Sequence, residues 1–147
     1  MSSFETRIIF FQVSDLPSKL RCITETARSH FSKKEAVLFF VENEKGEAFL
    51  DELLWKLPEH SFLPHAISNQ KTDEKIAITK TKENVNGAIF AFNLCPTPLL
   101  VPGFKIIYDL EDLTAPNKQT LSSLRFNAYK QAKLPIESVP QMSRNSK

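Results

Sequence analysis

Two short apolar runs near the start of the chain, separated by an amphipathic segment, most constrain its fold. Residues 7–13 (RIIFFQV) and 36–41 (AVLFFV) have the length and near-continuous hydrophobicity of strands buried on both faces. The segment between them begins with the capping residues Ser14 and Asp15 and then places apolar side chains at helical spacing. Strand, helix and strand in this order predict a βαβ unit with a right-handed crossover.

The rest of the chain continues the alternation of strands and helices. We expect a second helix over residues 46–57, with an apolar face made of Phe49, Leu50, Leu53 and Leu57. We expect a half-buried strand, two further strands and a last helix over residues 75–79, 88–92, 104–108 and 116–133, respectively. This order predicts an α/β fold in which a largely parallel sheet is flanked by helices.

The length of the chain, 147 residues, is that of one domain. Hydrophobic residues make up 41% of the sequence, which is enough for a packed core. We expect a single α/β domain over residues 1–135. Residues 136–147 are mostly polar, and we expect them to form a flexible C-terminal tail.

The scarcity of glycine excludes the common nucleotide-binding loops. The sequence has only Gly46, Gly87 and Gly103, which are too widely spaced for a dinucleotide fingerprint or a Walker loop. Cys22 and Cys95 form no CxxC pair, and no Cys/His cluster has zinc spacing. We therefore expect two free thiols, no metal and no cofactor.

The overall charge and the apolar stretches favour a soluble, cytoplasmic protein. The net charge of +2 does not predict strong attraction of the whole molecule to nucleic acid or membranes. The N-terminus lacks the pattern of a leader peptide, and no apolar stretch approaches the roughly 18 residues of a membrane span. We expect no contact with a membrane.

Positive charge is concentrated at the end of the chain. Residues 114–147 contain six Lys and Arg residues and one acidic residue, a net charge of +5, whereas residues 1–113 carry −3. A helical projection of the last helix predicts that its sheet-facing side consists of Leu121, Leu124, Ala128 and Ala132. The remaining surface carries Lys118, Arg125, Phe126, Tyr129, Lys130 and Lys133. Such a surface suits a ligand that combines negative charge with an apolar group, but a solvated basic face has the same pattern.

Trp55 and Phe62 form a second candidate surface. Trp55 lies off the apolar face of its helix, and Phe62 follows in a proline-bracketed segment. The two rings could form a patch for a partner protein, or they could pack under the loop that follows the helix.

The sequence contains no motif for nucleophilic catalysis. Neither cysteine has a histidine placed near it by a motif, and no nucleophile elbow is present. His65 is expected in an exposed loop. Three acidic residues follow a predicted strand and could hold a cation or form a solvated turn: Asp109, Glu111 and Asp112.

Two stretches resemble the chi subunit family of bacterial DNA polymerase III. Residues 50–65 (LDELLWKLPEHSFLPH) are similar to the family pattern LDExLW-x-x-P-x-x-SF-(V/L)-PH, and residues 125–130 (RFNAYK) resemble the run R-Y-K-x-Y-(R/K) of its last helix. The order of elements and the length also match, so the resemblance covers nearly the whole chain. Asn127 stands where the family usually has a basic residue, and Phe126 stands where it usually has tyrosine.

The resemblance implies a non-catalytic accessory subunit with a Rossmann-like three-layer fold and no nucleotide-binding loop. Members of the family link the clamp-loader assembly, through the psi subunit, to the acidic C-terminal tail of single-stranded-DNA-binding protein. DNA is then contacted only indirectly, and the protein is a monomer or a 1:1 heterodimer with psi.

The resemblance also implies roles for individual residues. The tail-binding residues are Arg125, Phe126, Tyr129 and Lys130, with Lys118 added from the same predicted face. The psi-binding residues are Trp55 and Phe62, with Leu54 and Pro64 as neighbours.

Two other functions remain as alternatives. A direct single-stranded-DNA-binding module would use the basic residues of the last helix. Four to six basic residues on one helix, however, can contact only a few phosphates of the DNA backbone. A small α/β enzyme would use the strand end near Asp109.

Overall fold

The computed structural model describes residues 5–56 and 63–141, which form a seven-stranded sheet with three helices. The elements are β1 (Arg7–Val13), α1 (Leu16–Ser32), β2 (Val37–Phe40), α2 (Glu44–Lys56), β3 (Ala66–Ile67), β4 (Ile76–Thr79), β5 (Phe90–Asn93), β6 (Ile106–Asp112), α3 (Pro116–Gln131) and β7 (Ile136–Val139).

The strands lie in the order β3-β4-β2-β5-β6-β1-β7, and every pairing between described strands is parallel. The longest pairing joins β1 to β6 over seven residues, from Arg7 opposite Ile106 to Val13 opposite Asp112. The predicted α/β fold with a parallel sheet is confirmed. Parallel strands end at the same edge, so the residues after β2, β5 and β6 come together there.

The two faces of the sheet carry different helices, which gives three layers. Apolar residues of α1 and α2, such as Ile23 and Leu50, pack with Phe39 and Phe92 on one face. On the other face Tyr129 of α3 packs with apolar side chains of β1 and of the segments that flank β5. Because α1 and α3 cover opposite faces, the strand ends between them lie in a cleft.

The ends of α1 and α3 follow from their sequences. The Asp15 carboxylate caps α1 by accepting a hydrogen bond from the Ser18 N–H at 2.8 Å, and Pro17 occupies the first turn. Pro116 likewise begins α3. Lys133, just beyond α3, has φ of 63° and turns the chain back toward the sheet.

Three sequence expectations differ from the structure. Residues 76–79 are buried at every position rather than half-buried, because β4 lies inside the sheet with α2 above it. β6 extends to Asp112, so the acidic residues near its end are part of a strand and not a turn. The expected boundary at residue 135 is wrong in one respect, because residues 136–139 form β7 and pair with β1.

Candidate functional site

The buried face of α3 is polar. Its buried residues are Ser122, Arg125 and Tyr129, whereas Leu124 is 60% exposed and Ala132, which follows the helix, is also exposed. The expectation that Leu124 and Ala132 face the sheet is therefore wrong, whereas Leu121 and Ala128 are half-buried. The helix is rotated so that the Arg125 and Tyr129 side chains point inward.

Arg125 is buried because it pairs with Asp109, a fully buried carboxylate on β6. The Arg125 Nε lies 3.1 Å from Asp109 Oδ1, and the two side chains are 7% and 0% exposed. The Arg125 guanidinium also donates to the carbonyl oxygens of Leu110 and Pro96. These contacts tie α3 to β6 and to the loop after β5.

Tyr129 binds the other oxygen of the same carboxylate. Its hydroxyl donates to Asp109 Oδ2 at 2.5 Å and accepts a hydrogen bond from the Leu99 N–H at 3.0 Å. Asn93 Nδ2 donates to Asp109 Oδ2 at 3.1 Å and to Thr97 O at 2.9 Å. The proline-rich loop after β5 is therefore fixed to α3 through this network.

Burial raises the pKa of Asp109, while the Arg125 charge and the hydrogen bonds from Tyr129, Leu110 N and Asn93 act in the opposite direction. Burial and the neighbouring Asp109 carboxylate also raise the pKa of Tyr129. Both groups are buried and held by internal hydrogen bonds. Asp109, near which the enzyme alternative placed its site, is therefore bound by its neighbours and not exposed at the strand end.

The five predicted tail-binding residues do not lie together on one accessible surface. Arg125 and Tyr129 are buried, and Phe126 is half-buried with its ring edge-on to Phe10 at a centroid distance of 5.5 Å. Lys118 and Lys130 are exposed near opposite ends of α3.

A crevice of about 490 Å³ lies between α1 and α3 at the carboxyl ends of the strands. Lys19 of α1 donates to Asp112 Oδ2 at 2.7 Å, and Lys118 of α3 lies beside it. The positive charge of Lys19 is the largest cause of a lowered pKa of Lys118. Leu16 and Phe49 also line the crevice, and they are 56% and 49% exposed.

Sequence reasoning missed Lys19 and Phe49 as site residues. Phe49 was expected on the buried face of its helix, but α2 buries Leu50, Leu53 and Leu54 instead. The only indication in the sequence was that Phe49 and Leu54 lie at opposite edges of one apolar face, so that burial of one could leave the other exposed. Nothing in the sequence indicated a role for Lys19, because its ion-pair partner Asp112 is 93 residues away along the chain.

The second predicted surface is partly accessible. Trp55 is 49% exposed near the end of α2, and Pro64 is exposed beyond it. Leu54 is fully buried in the core, so its expected contact with a partner is wrong. Phe62 lies outside the described residues.

The His65 imidazole packs against the Trp55 indole. The two rings lie 4.9 Å apart, and the imidazole is fully buried rather than exposed as expected. Its Nε2 lies 2.8 Å from Asp51 Oδ1 on α2, and its Nδ1 lies 2.6 Å from Leu63 O. His65 therefore fixes the segment after α2 against the helix that carries Trp55.

Both cysteines lie within the described ranges, and neither forms a disulfide. Cys22 and Cys95 are free thiols, and burial raises the pKa of Cys22 to about 12. No group of three or more His, Cys, Asp or Glu side chains in residues 5–56 and 63–141 could hold a metal ion. No helix within these ranges is both long and apolar enough to cross a bilayer.

Comparison with known families agrees with the motifs in residues 50–65 and 125–130. The sequence profile of the family described as DNA polymerase III chi subunit, HolC, matches residues 6–137. A comparison with individual curated proteins gave no match. Since the profile covers most of the chain, from β1 into β7, the protein belongs to the DNA polymerase III chi subunit family and serves as an accessory subunit in DNA replication.

Proposed function

We propose that the protein is a non-catalytic adaptor of the DNA polymerase III holoenzyme. One surface binds the psi subunit of the clamp-loader assembly, and the other binds the acidic C-terminal tail of single-stranded-DNA-binding protein. The observation that carries the proposal is the charge of α3, which contains three basic residues and no acidic residue.

The distribution of these charges favours an acidic partner. Lys118 and Lys130 are exposed on α3, and Lys133 is exposed just beyond it, so the helix attracts acidic segments along its length. Phe126 offers an apolar edge between them. Arg125 also holds α3 in place, through its ion pair with Asp109.

The psi-binding surface is proposed around Trp55 and Pro64. A half-exposed tryptophan is a frequent anchor of protein interfaces, since its ring buries a large area at low entropic cost. The ring of Trp55 rests on the buried His65 imidazole, which presents it in a defined orientation. The resemblance adds Phe62 to this proposed surface.

Titration calorimetry of the protein with intact single-stranded-DNA-binding protein tests the tail contact. We expect binding that disappears when the partner lacks its acidic C-terminal tail. A parallel titration with single-stranded DNA tests the alternative function. Binding to DNA without any partner, falling steeply with added salt, would support direct DNA binding instead.

A further inference from the structure

We propose that His65 is a positively charged positioning residue of the psi-binding surface, whose imidazole carries a proton on both ring nitrogens and in this form holds Trp55 in its orientation. The inference rests on the proposed function, because Trp55 is the proposed anchor for psi. It goes beyond that function by making the strength of the psi contact depend on pH.

The contacts of the His65 ring require two protons. Its Nδ1 lies 2.6 Å from the carbonyl oxygen of Leu63, and its Nε2 lies 2.8 Å from Asp51 Oδ1. A carbonyl oxygen and a carboxylate oxygen only accept hydrogen bonds, so each ring nitrogen must donate one. A neutral imidazole has a single N–H and would leave one nitrogen facing an acceptor without a proton. The doubly protonated imidazolium satisfies both contacts.

The buried position of His65 is compatible with a charge because two partners stabilise it. The His65 side chain is 0% exposed, and a buried cation needs a counterion. The Asp51 carboxylate supplies the counterion at 2.8 Å, and it is itself 36% exposed, so water still hydrates the anion. The Trp55 ring centroid lies 4.9 Å from that of the imidazole, within the roughly 6 Å over which an indole attracts a cation.

His30 shows the contrasting arrangement in the same molecule. Its side chain is also buried, and its Nδ1 lies 2.7 Å from Glu35 Oε1. Its Nε2, however, lies 2.7 Å from the hydroxyl of Tyr108. A hydroxyl can donate as well as accept, so one ring proton satisfies both contacts of His30. Of the two histidines that the structure describes, only His65 requires two ring protons.

Loss of one ring proton from His65 would release part of this arrangement. The neutral imidazole can donate to Leu63 O or to the Asp51 carboxylate, but not to both. The attraction between the cation and the Trp55 indole is lost as well. The segment that carries His65 is then held less firmly against α2, and the orientation of Trp55 is less defined. The affinity for psi should therefore fall as the pH rises.

The charged groups around His65 identify the variants that test its charge. Within the described residues, Asp51 is the titratable side chain that contacts the ring. Residues 63–67 and the nearby strand β4 contain no other charged side chain. Glu52 and Lys56, the other charged residues in the last turns of α2, pair with each other at 2.8 Å and are about two-thirds exposed. Asp51 is therefore the group to neutralise, and Glu52 is its matched acidic control.

The ring protons are observed by proton–nitrogen NMR spectroscopy of the unaltered protein near neutral pH, with each ring assigned by through-bond correlations. We expect a proton on both ring nitrogens of His65 and on only one ring nitrogen of His30. The two histidines are thus compared in a single spectrum. A His65 ring with one proton would overturn the inference.

Binding of psi should follow the charge of His65. In titration calorimetry we expect the unaltered protein to bind psi about tenfold more weakly at weakly basic than at weakly acidic pH, because a hydrogen bond of a charged group is lost. Asp51→Asn removes the anion that favours the imidazolium, so its affinity should fall at a lower pH than that of the unaltered protein. Because Asp51 is 36% exposed, we expect this variant to fold.

Glu52→Gln is the matched control, and its pH profile should equal that of the unaltered protein. Titratable groups of psi act on all three proteins alike, so the difference between the profiles reports on His65. If psi binds the three proteins with one common pH profile, the inference is overturned, although the proposed psi contact stands. If psi binds none of them at any pH, the proposed psi contact is overturned together with the inference.

Discussion

Asp109 is the residue through which α3 is held against the sheet. Its carboxylate has no solvent exposure and is bound by Arg125, Tyr129 and Asn93. A buried carboxylate that loses its cation keeps the cost of desolvation without the compensating attraction. Arg125 and Tyr129, two of the four α3 residues that the family motif singled out, therefore act first on stability.

Replacement of Arg125 by alanine should lower the free energy of unfolding by about 3–5 kcal/mol, because Asp109 would remain buried without a counterion. Urea denaturation measures the change. Lys130→Ala, at an exposed position of the same helix, should stay within about 0.5 kcal/mol of the unaltered protein. Equal stability of Arg125→Ala and the unaltered protein would show that Arg125 is not the structural cation described above.

At the scale of elements, helix α3 shows why sequence periodicity predicted one part of the molecule and not another. Strands β1 and β2 and helix α1 follow apolar patterns, and their positions were predicted to within a few residues. The inward face of α3 could not be predicted in this way, because its partner is a buried carboxylate on β6. Only knowledge that β6 places Asp109 opposite Arg125 and Tyr129 identifies that face.

β7 was missed for a related reason. Residues 136–139 (IESV) have too little apolar character to predict a strand, and their pairing with β1 depends on the turn at Lys133. The edge of a sheet tolerates such polar residues because one side of the strand is solvated. The exposed ion pair between Arg7 and Glu137, at 2.7 Å, lies across this edge.

Truncation tests the contribution of β7. A chain ending at Leu134 loses the pairing of residues 136–139 with β1 and should be less stable by roughly 2–4 kcal/mol, at about 1 kcal/mol for each lost backbone hydrogen bond. A chain ending at Gln141 retains β7 and is the matched control. Identical urea midpoints for the two truncated chains would contradict a stabilising role for the strand.

The interaction of the Lys118 side chain with Lys19 gives a further prediction. Because Lys19 repels Lys118, Lys118→Gln should raise the melting temperature, on the order of 1 °C, in low salt. The gain should disappear at high ionic strength, where the repulsion is screened. Thermal denaturation in two salt concentrations measures both effects. A melting temperature that falls in low salt would show that Lys118 stabilises the free protein and is not held beside a like charge.

At the scale of the whole molecule, the two proposed binding surfaces lie on different helices, α3 for the acidic tail and α2 for psi. Lys118 and Lys130 are exposed on α3, and Trp55 is half-exposed near the end of α2. Because α2 and α3 pack on opposite faces of the sheet, two partners can approach from different sides. Separate surfaces for two partners are what an adaptor requires.

The psi contact is tested by Trp55→Ala. We expect the variant to fold normally, because the indole is 49% exposed, and to bind psi at least about tenfold more weakly. Copurification of psi with the variant measures the loss. Leu124→Ala removes an apolar side chain that is 60% exposed on α3 and should leave psi binding unchanged. Equal loss in both variants would contradict a specific surface at Trp55.

The most direct test of the adaptor role is size-exclusion chromatography of psi mixed with single-stranded-DNA-binding protein, with and without this chain. We predict that the two partners elute together only when the chain is present. Trp55→Ala should release psi alone, and removal of the acidic tail should release single-stranded-DNA-binding protein alone. Coelution of the partners without the chain, or mutually exclusive binding of the two partners to it, would contradict the adaptor account.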